Sequence, residues 1–125
     1  GFILISLKIE SGNFFQGRKV SYSKNCEFKT NFENIFEVSL EALNKIERCK
    51  LEEINKKEGI IKAKVGSNTK TFGEKINLRI NSKKDNIVEV NVHSKCKEES
   101  FEDYYKNYSN VQIIINYLKK EIDIV

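Results

Sequence analysis

Proline, methionine and tryptophan do not occur in this 125-residue chain, and glycine occurs only 6 times. Collagen-like, proline-rich and low-complexity classes are thereby excluded. Apolar runs are short, far below the roughly 20 residues that span a bilayer as a helix, so none of these residues forms a transmembrane helix. Arginine is scarce. Arg18, Arg48 and Arg79 are the whole set, and the rest of the 22 basic residues are lysine. Nucleic-acid grooves usually rely on arginine for bidentate contacts and on clustered charge. Here 18 acidic residues leave a mild net charge of +4, and lysine is interleaved with Glu and Asn, as on a solvated surface. The single histidine is His93, and the cysteines are Cys26, Cys49 and Cys96, with no C-x-x-C spacing. A four-ligand zinc site would need all four of these residues, so no metal and no cofactor are expected. Three ordinary thiols, or one bridge if the domain is exported, account for the odd count.

What is present is the composition of one globular domain, 39% hydrophobic and 32% charged. With no Met at position 1, Gly1 reads as a junction left by processing or expression. Residues 1–18 read as a tail or as the end of a removed signal or anchor segment, with Phe2-Ile3-Leu4-Ile5-Ser6-Leu7 as its apolar part or as a short strand. Residues 19–125 read as a single α+β domain.

Alternation of Val20 with Tyr22 and of Cys26 with Phe28 predicts a strand over 18–29, bulged near Ser23-Lys24-Asn25. Thr30-Asn31-Phe32-Glu33 has the form of a capping box with Thr30 at the cap. Phe32, Ile35, Phe36, Leu40, Leu43 and Ile46 then follow at helical spacing, which predicts a helix ending near Glu47 or Arg48. Four strands come next. Leu51 and Ile54 mark one, and Ile61, Ala63 and Val65 a second after a turn at Gly59. Phe72, Ile76, Leu78 and Ile80 share one parity in the third, and Val88, Val90 and Val92 in the fourth. Lys97 to Lys106 reads as a connection. Asn107 reads as the cap of a last helix carrying Val111, Ile114, Ile115, Leu118 and Ile122. The order β-α-β-β-β-β-α, with short connections, predicts a five-stranded antiparallel sheet with both helices on one face. This order is similar to that of the TATA-binding-protein fold.

Three stretches carry a further resemblance. Asn55 to Ala63 resembles D-x-x-x-G-x-I-x-A. Thr71-Phe72-Gly73-Glu74-Lys75-Ile76 resembles S-W-G-E-x-I. Asp103 to Val111 resembles D-[WY]-G-K-N-x-x-N-V, with Tyr105 standing where that pattern has Gly. Together, over about residues 28–122, they resemble a family of small uncharacterised bacterial domains that often follow a signal peptide, lipoprotein signal or membrane anchor. The resemblance implies a cell-envelope or exported location rather than a cytoplasmic one, and transfers no catalytic residue. The motif residues Gly73, Glu74, Asp103, Tyr104, Asn107 and Asn110 also have structural uses. Gly73 inside a strand suggests a bulge. Glu74 has core parity and needs a partner, and Asp103, Asn107 and Asn110 suit a helix start.

No nucleophile stands beside a base. His93 and Ser94 point to opposite faces of a strand, and the sequence has no G-x-S-x-G, H-E-x-x-H or P-loop. A non-catalytic accessory or interaction domain is expected, with an unknown protein or an apolar ligand as partner. Membrane association would come through a segment upstream of residue 1. The candidate binding face is the wet side of the sheet, with Lys62, Lys64, Lys75, Asn77, Arg79, Asn91 and His93, a side that also shows Glu89. A nucleic-acid module using that face is the alternative. It is disfavoured because the face has neither apolar wedges nor stacking aromatics. A small apolar ligand held between helices and sheet, or at Tyr104, Tyr105 and Tyr108, is the other alternative.

Overall fold

The computed structural model describes residues 21–67, 73–96 and 103–125. The apolar stretch 2–7 and the tail 1–18 lie outside the described residues, as does Phe72. The elements run β1 (Ser21–Lys29), α1 (Phe32–Leu43), β2 (Cys49–Asn55), β3 (Ile60–Val65), β4 (Glu74–Lys84), β5 (Ile87–Cys96) and α2 (Asp103–Glu121). The strands form one antiparallel sheet in the order β1-β5-β4-β3-β2. Three strands follow one another as neighbours from β2 to β4, and β5 then pairs with both β4 and β1. The domain is therefore α+β, as the alternation and the short turns predict.

Strand periodicity sorts the side chains. Ile61, Ala63, Val65, Ile76, Leu78, Ile80, Val88, Val90 and Val92 are all buried on one face. Onto them fold Ile35, Phe36, Ala42 and Leu43 of α1 and Val111, Ile114, Ile115 and Leu118 of α2. Each fully buried Leu, Ile or Phe contributes roughly 1.5–3 kcal/mol, so this layer is the main stabilising term. The second helix packs on β1 and β5, and α1 packs on α2 and β4. The helices thus sit over the β1 side and the centre of the sheet. On the helix side of edge strand β2, Leu51 and Ile54 remain 44% and 51% exposed.

Several local features differ from the sequence reading. The strand β1 pairs with β5 residue by residue from Ser21 to Lys29, without a bulge. The bulge lies instead in β2, between Leu51 and Glu53. The cap of α1 is Asn31, not Thr30: its side chain accepts from the Asn34 backbone N–H at 2.8 Å. Thr30 accepts from the Asn34 side chain, and Glu33 turns away to pair with Lys56. Replacing Asn31 with Ala is expected to lower stability by about 1 kcal/mol, read by thermal unfolding. No change would mean that the Thr30 contact suffices as a cap.

The first helix stops at Leu43 rather than near Glu47. A tight turn follows in which Ile46 still reaches the core, and Arg48 takes a left-handed φ of 59° to start β2. The last helix begins at Asp103, so Asn107 lies inside it and is not its cap. Beyond α2 the chain folds back on β1. The Lys29 N–H donates to the Asp123 carbonyl at 2.8 Å, and the Val125 N–H to that of Glu27 at 3.1 Å. That contact covers an edge otherwise open to unwanted pairing.

Candidate binding face and a buried polar cluster

The residues of the two later sequence motifs meet inside the fold. Gly73 ends the connection before β4 and is not within the strand. Its φ of +101° is a conformation only glycine adopts easily, and a Cβ there would come within 2.7 Å of the Val65 carbonyl oxygen. The next residue, Glu74, opens β4 pointing inward, and it is fully buried. Asn110 of α2 donates from Nδ2 to Glu74 Oε1 at 3.0 Å and to Ser94 Oγ at 3.2 Å. Ser94 in turn donates to Asn107 Oδ1 at 2.7 Å. Four buried polar residues thus tie β4, β5 and the first turns of α2 together. Glu74 Oε2 and Asn110 Oδ1 have no hydrogen-bond partner. Asp103 and Tyr104 stand at the start of α2, and their side chains lie outside the described part.

In the first motif, Asn55 Oδ1 accepts from the Glu58 N–H at 3.1 Å, which shapes the β2–β3 turn. Gly59 closes it with φ +70° and is packed against the Ile80 backbone. A shallow cleft of about 330 Å³ opens beside this turn, lined by Phe32, Lys56, Gly59 and Ile80. Of the tyrosines, Tyr105 is 72% exposed, whereas Tyr108 meets Tyr22 edge-on with ring centroids 5.0 Å apart. Tyr108 therefore seals the rim of the helix layer.

The opposite face of the sheet is polar, with its lysines exposed, His93 half-buried and the Asn77 side-chain oxygen buried without a hydrogen-bond partner. Cross-strand register places Lys62 opposite Asn77 and Asn77 opposite His93. Arg79 is opposite Asn91, and Asn91 donates from Nδ2 to Asn25 Oδ1 at 2.7 Å. Glu89 lies toward the far tip, 3.8 Å from Lys83. All seven candidate binding residues (Lys62, Lys64, Lys75, Asn77, Arg79, Asn91 and His93) share this face, and no described helix crosses it. The same register aligns residues that the sequence reading left out. Lys50 is opposite Lys64, Lys64 opposite Lys75, and Lys75 opposite Lys95. Four lysines therefore form one line across four strands. Strand identity and parity were legible for Lys64 and Lys75. Lys50 and Lys95 were missed because their register depends on the β2 bulge and on β5 running three residues past His93.

The His93 imidazole is half-buried, and burial lowers its pKa below the ordinary 6.5; the Lys95 ammonium acts in the same direction. The unfolded chain therefore takes up this proton first as pH falls. Stability contributed by neutral His93 is full above about pH 6.5 and is lost as pH falls toward the folded value. His93→Gln is expected to remove this acid-side loss. Urea unfolding of both proteins at pH 7.5 and 5.0 checks it, and parallel curves would contradict it.

Cys26, Cys49 and Cys96 are free thiols. Burial pushes the Cys49 thiol pKa up, against a smaller opposing pull from Lys106, so it is a poor nucleophile at neutral pH. Among the described residues no group of three His, Cys, Asp or Glu side chains converges on a metal-sized site. No described helix is long and apolar enough to cross a membrane.

No family model and no curated protein matches the chain. Among solved structures, an uncharacterised protein from Bacillus thuringiensis shares the architecture, with a TM-score of 0.61 and 10% sequence identity. The match covers 82% of this chain and 98% of that one. At that identity the likeness concerns the fold alone.

Proposed function

We propose that the protein is a non-catalytic interaction domain that holds its partner on the open face of the sheet, and that it works at the bacterial cell envelope. The observation that carries the reading is the division of labour between the two faces. The helix side is filled by the core and the buried polar cluster except along β2, where Leu51 and Ile54 stay exposed, whereas the outer side of the described strands carries mainly polar side chains. The motif residues that give the chain its resemblance to envelope-associated bacterial domains are used up in building the fold. The β2–β3 turn absorbs Asn55 and Gly59, and the β4–α2 junction absorbs Gly73, Glu74, Asn107 and Asn110. His93, the one imidazole, has Ser23 and Asn77 directly opposite it on the neighbouring strands, and burial makes it a weaker base than a free imidazole.

A photo-crosslinking residue introduced at Asn77 or Arg79, compared with one at Asn116 on the exposed side of α2, tests the reading in cells that express the native gene. The expected result is the same envelope-fraction product from both outer-face positions and none from Asn116. Products from Asn116 alone, or a cytosolic product, would contradict it.

A further inference from the structure

The outer face is not evenly charged. The row Lys50, Lys64, Lys75 and Lys95 lies at the end of the sheet where β5 finishes, and Glu27 and Glu89 face each other toward the opposite end. With strands about 4.8 Å apart, the four lysine positions span about 14 Å in a straight line. Like charges directly opposite one another in a sheet are destabilising. Neutralisation is partial. Glu52 lies 3.8 Å from Lys64, and Glu53 lies 3.8 Å from Lys62 in the next row. Among the described residues, no ion pair neutralises Lys50, Lys75 or Lys95. A row that repels itself is relieved by a linear anion laid along it.

Resting on the reading of this face as the binding surface, we propose that the lysine row binds a linear polyol-phosphate chain, running across the strands with its phosphates on the four ammonium groups. Three features of the face select this class. Lysine is a point charge that suits phosphate without demanding planar, bidentate geometry. Apart from the His93 imidazole, the outer face carries no aromatic side chain among the described residues. It therefore lacks the stacking platforms with which single-stranded nucleic acid is held. Beyond the row Lys62 is paired with Glu53, Arg79 stands one rung further, and Glu27 and Glu89 lie past it, so a flat anionic bilayer would meet these two carboxylates as well as the cations, whereas a narrow chain laid along the row meets the lysines. The adjoining row holds the half-buried Asn77 and His93, whose buried Asn77 Oδ1 lacks a hydrogen-bond partner that a hydroxyl between phosphates would supply.

The test is titration of the full chain with deacylated poly(glycerol phosphate), repeated at rising salt. The variant Lys75→Gln/Lys95→Gln is compared with Lys119→Gln/Lys120→Gln, which removes the same charge from the end of α2. The expected result is salt-sensitive binding, weakened tenfold or more by the row variant and little by the helix variant; each lysine contributes about 1 kcal/mol near a polyanionic surface. Equal loss in both variants would overturn the proposal, as would absence of binding. Tighter binding of an oligothymidylate of matched charge would assign the row to nucleic acid and overturn it too. Binding only to phosphatidylglycerol vesicles would overturn it in favour of a membrane. A negative titration alongside outer-face crosslinks would reject the polymer but keep the face. Crosslinks confined to Asn116 would reject both.

Discussion

Gly59→Ala is expected to lower stability by about 2–4 kcal/mol, the largest loss for so small a change in this domain. The residue holds φ at +70°, which L side chains rarely adopt, and an added Cβ would overlap the Ile80 carbonyl oxygen. The close approach has a use. The Ile80 N–H donates to the Gly59 carbonyl at 2.8 Å, and the Gly59 N–H donates to that of Lys56 at 3.1 Å. The β2–β3 turn is thereby fastened directly to β4. An alanine must either push β4 away, opening the core at Ile80, or break the turn. Urea unfolding measures the loss. A variant within 0.5 kcal/mol of the wild type, roughly the level of an ordinary surface change, would show that the turn relaxes freely.

The second large effect belongs to Asn110. Replacing it with Ala is expected to remove about 3 kcal/mol, because Glu74 Oε1 loses its donor in a fully buried setting. Glu74→Gln separates shape from charge. A glutamine keeps an oxygen for Asn110 Nδ2 and replaces Oε2, which has no partner, with an amide nitrogen. It also removes a carboxylate from a buried site, so its stability is expected to match or exceed that of the wild type. Parallel denaturation curves check the pair. A loss from Glu74→Gln as large as that from Asn110→Ala would mean that the charge itself is required there.

The buried cluster was more legible than the sequence reading allowed. Stepping back along α2 from Val111 and Ile114 by helical spacing lands on Asn110 and Asn107. Strand parity carries the inward face of β4 back from Ile76 to Glu74, and that of β5 forward from Val92 to Ser94. Each polar residue occupied a core position of its own element. Treating Asn107 as a cap hid this, because a short polar residue before an apolar stripe satisfies the rule for a helix start equally well. The same ambiguity misplaced the cap of α1 by one residue, since Thr30 and Asn31 are both good caps. The end of α1 was misread for another reason. Ile46 keeps the helical phase although the backbone has already turned, so periodicity alone does not reveal the stop.

The sheet order followed from short connections and alternating apolar positions, which leave β2 to β4 little freedom except to pair in sequence. The lysine row was not legible. Alternation assigns a lysine to a face but not to a rung, and the rung of Lys50 is set within a strand that carries a one-residue irregularity. The C-terminal return onto β1 was equally hidden, because Asp123, Ile124 and Val125 give too little pattern to distinguish a bridge from a frayed end.

The measurement that bears most directly on the account is the thermal stability of Lys75→Gln at 20 mM and 500 mM salt. If the four ammonium groups stand in a self-repelling line kept for an anionic partner, the substitution raises the melting temperature at low salt, and the gain shrinks as salt screens the row. A lower melting temperature at both salt concentrations would mean that Lys75 is held by stabilising contacts, and the outer face would lose its claim to be a binding surface.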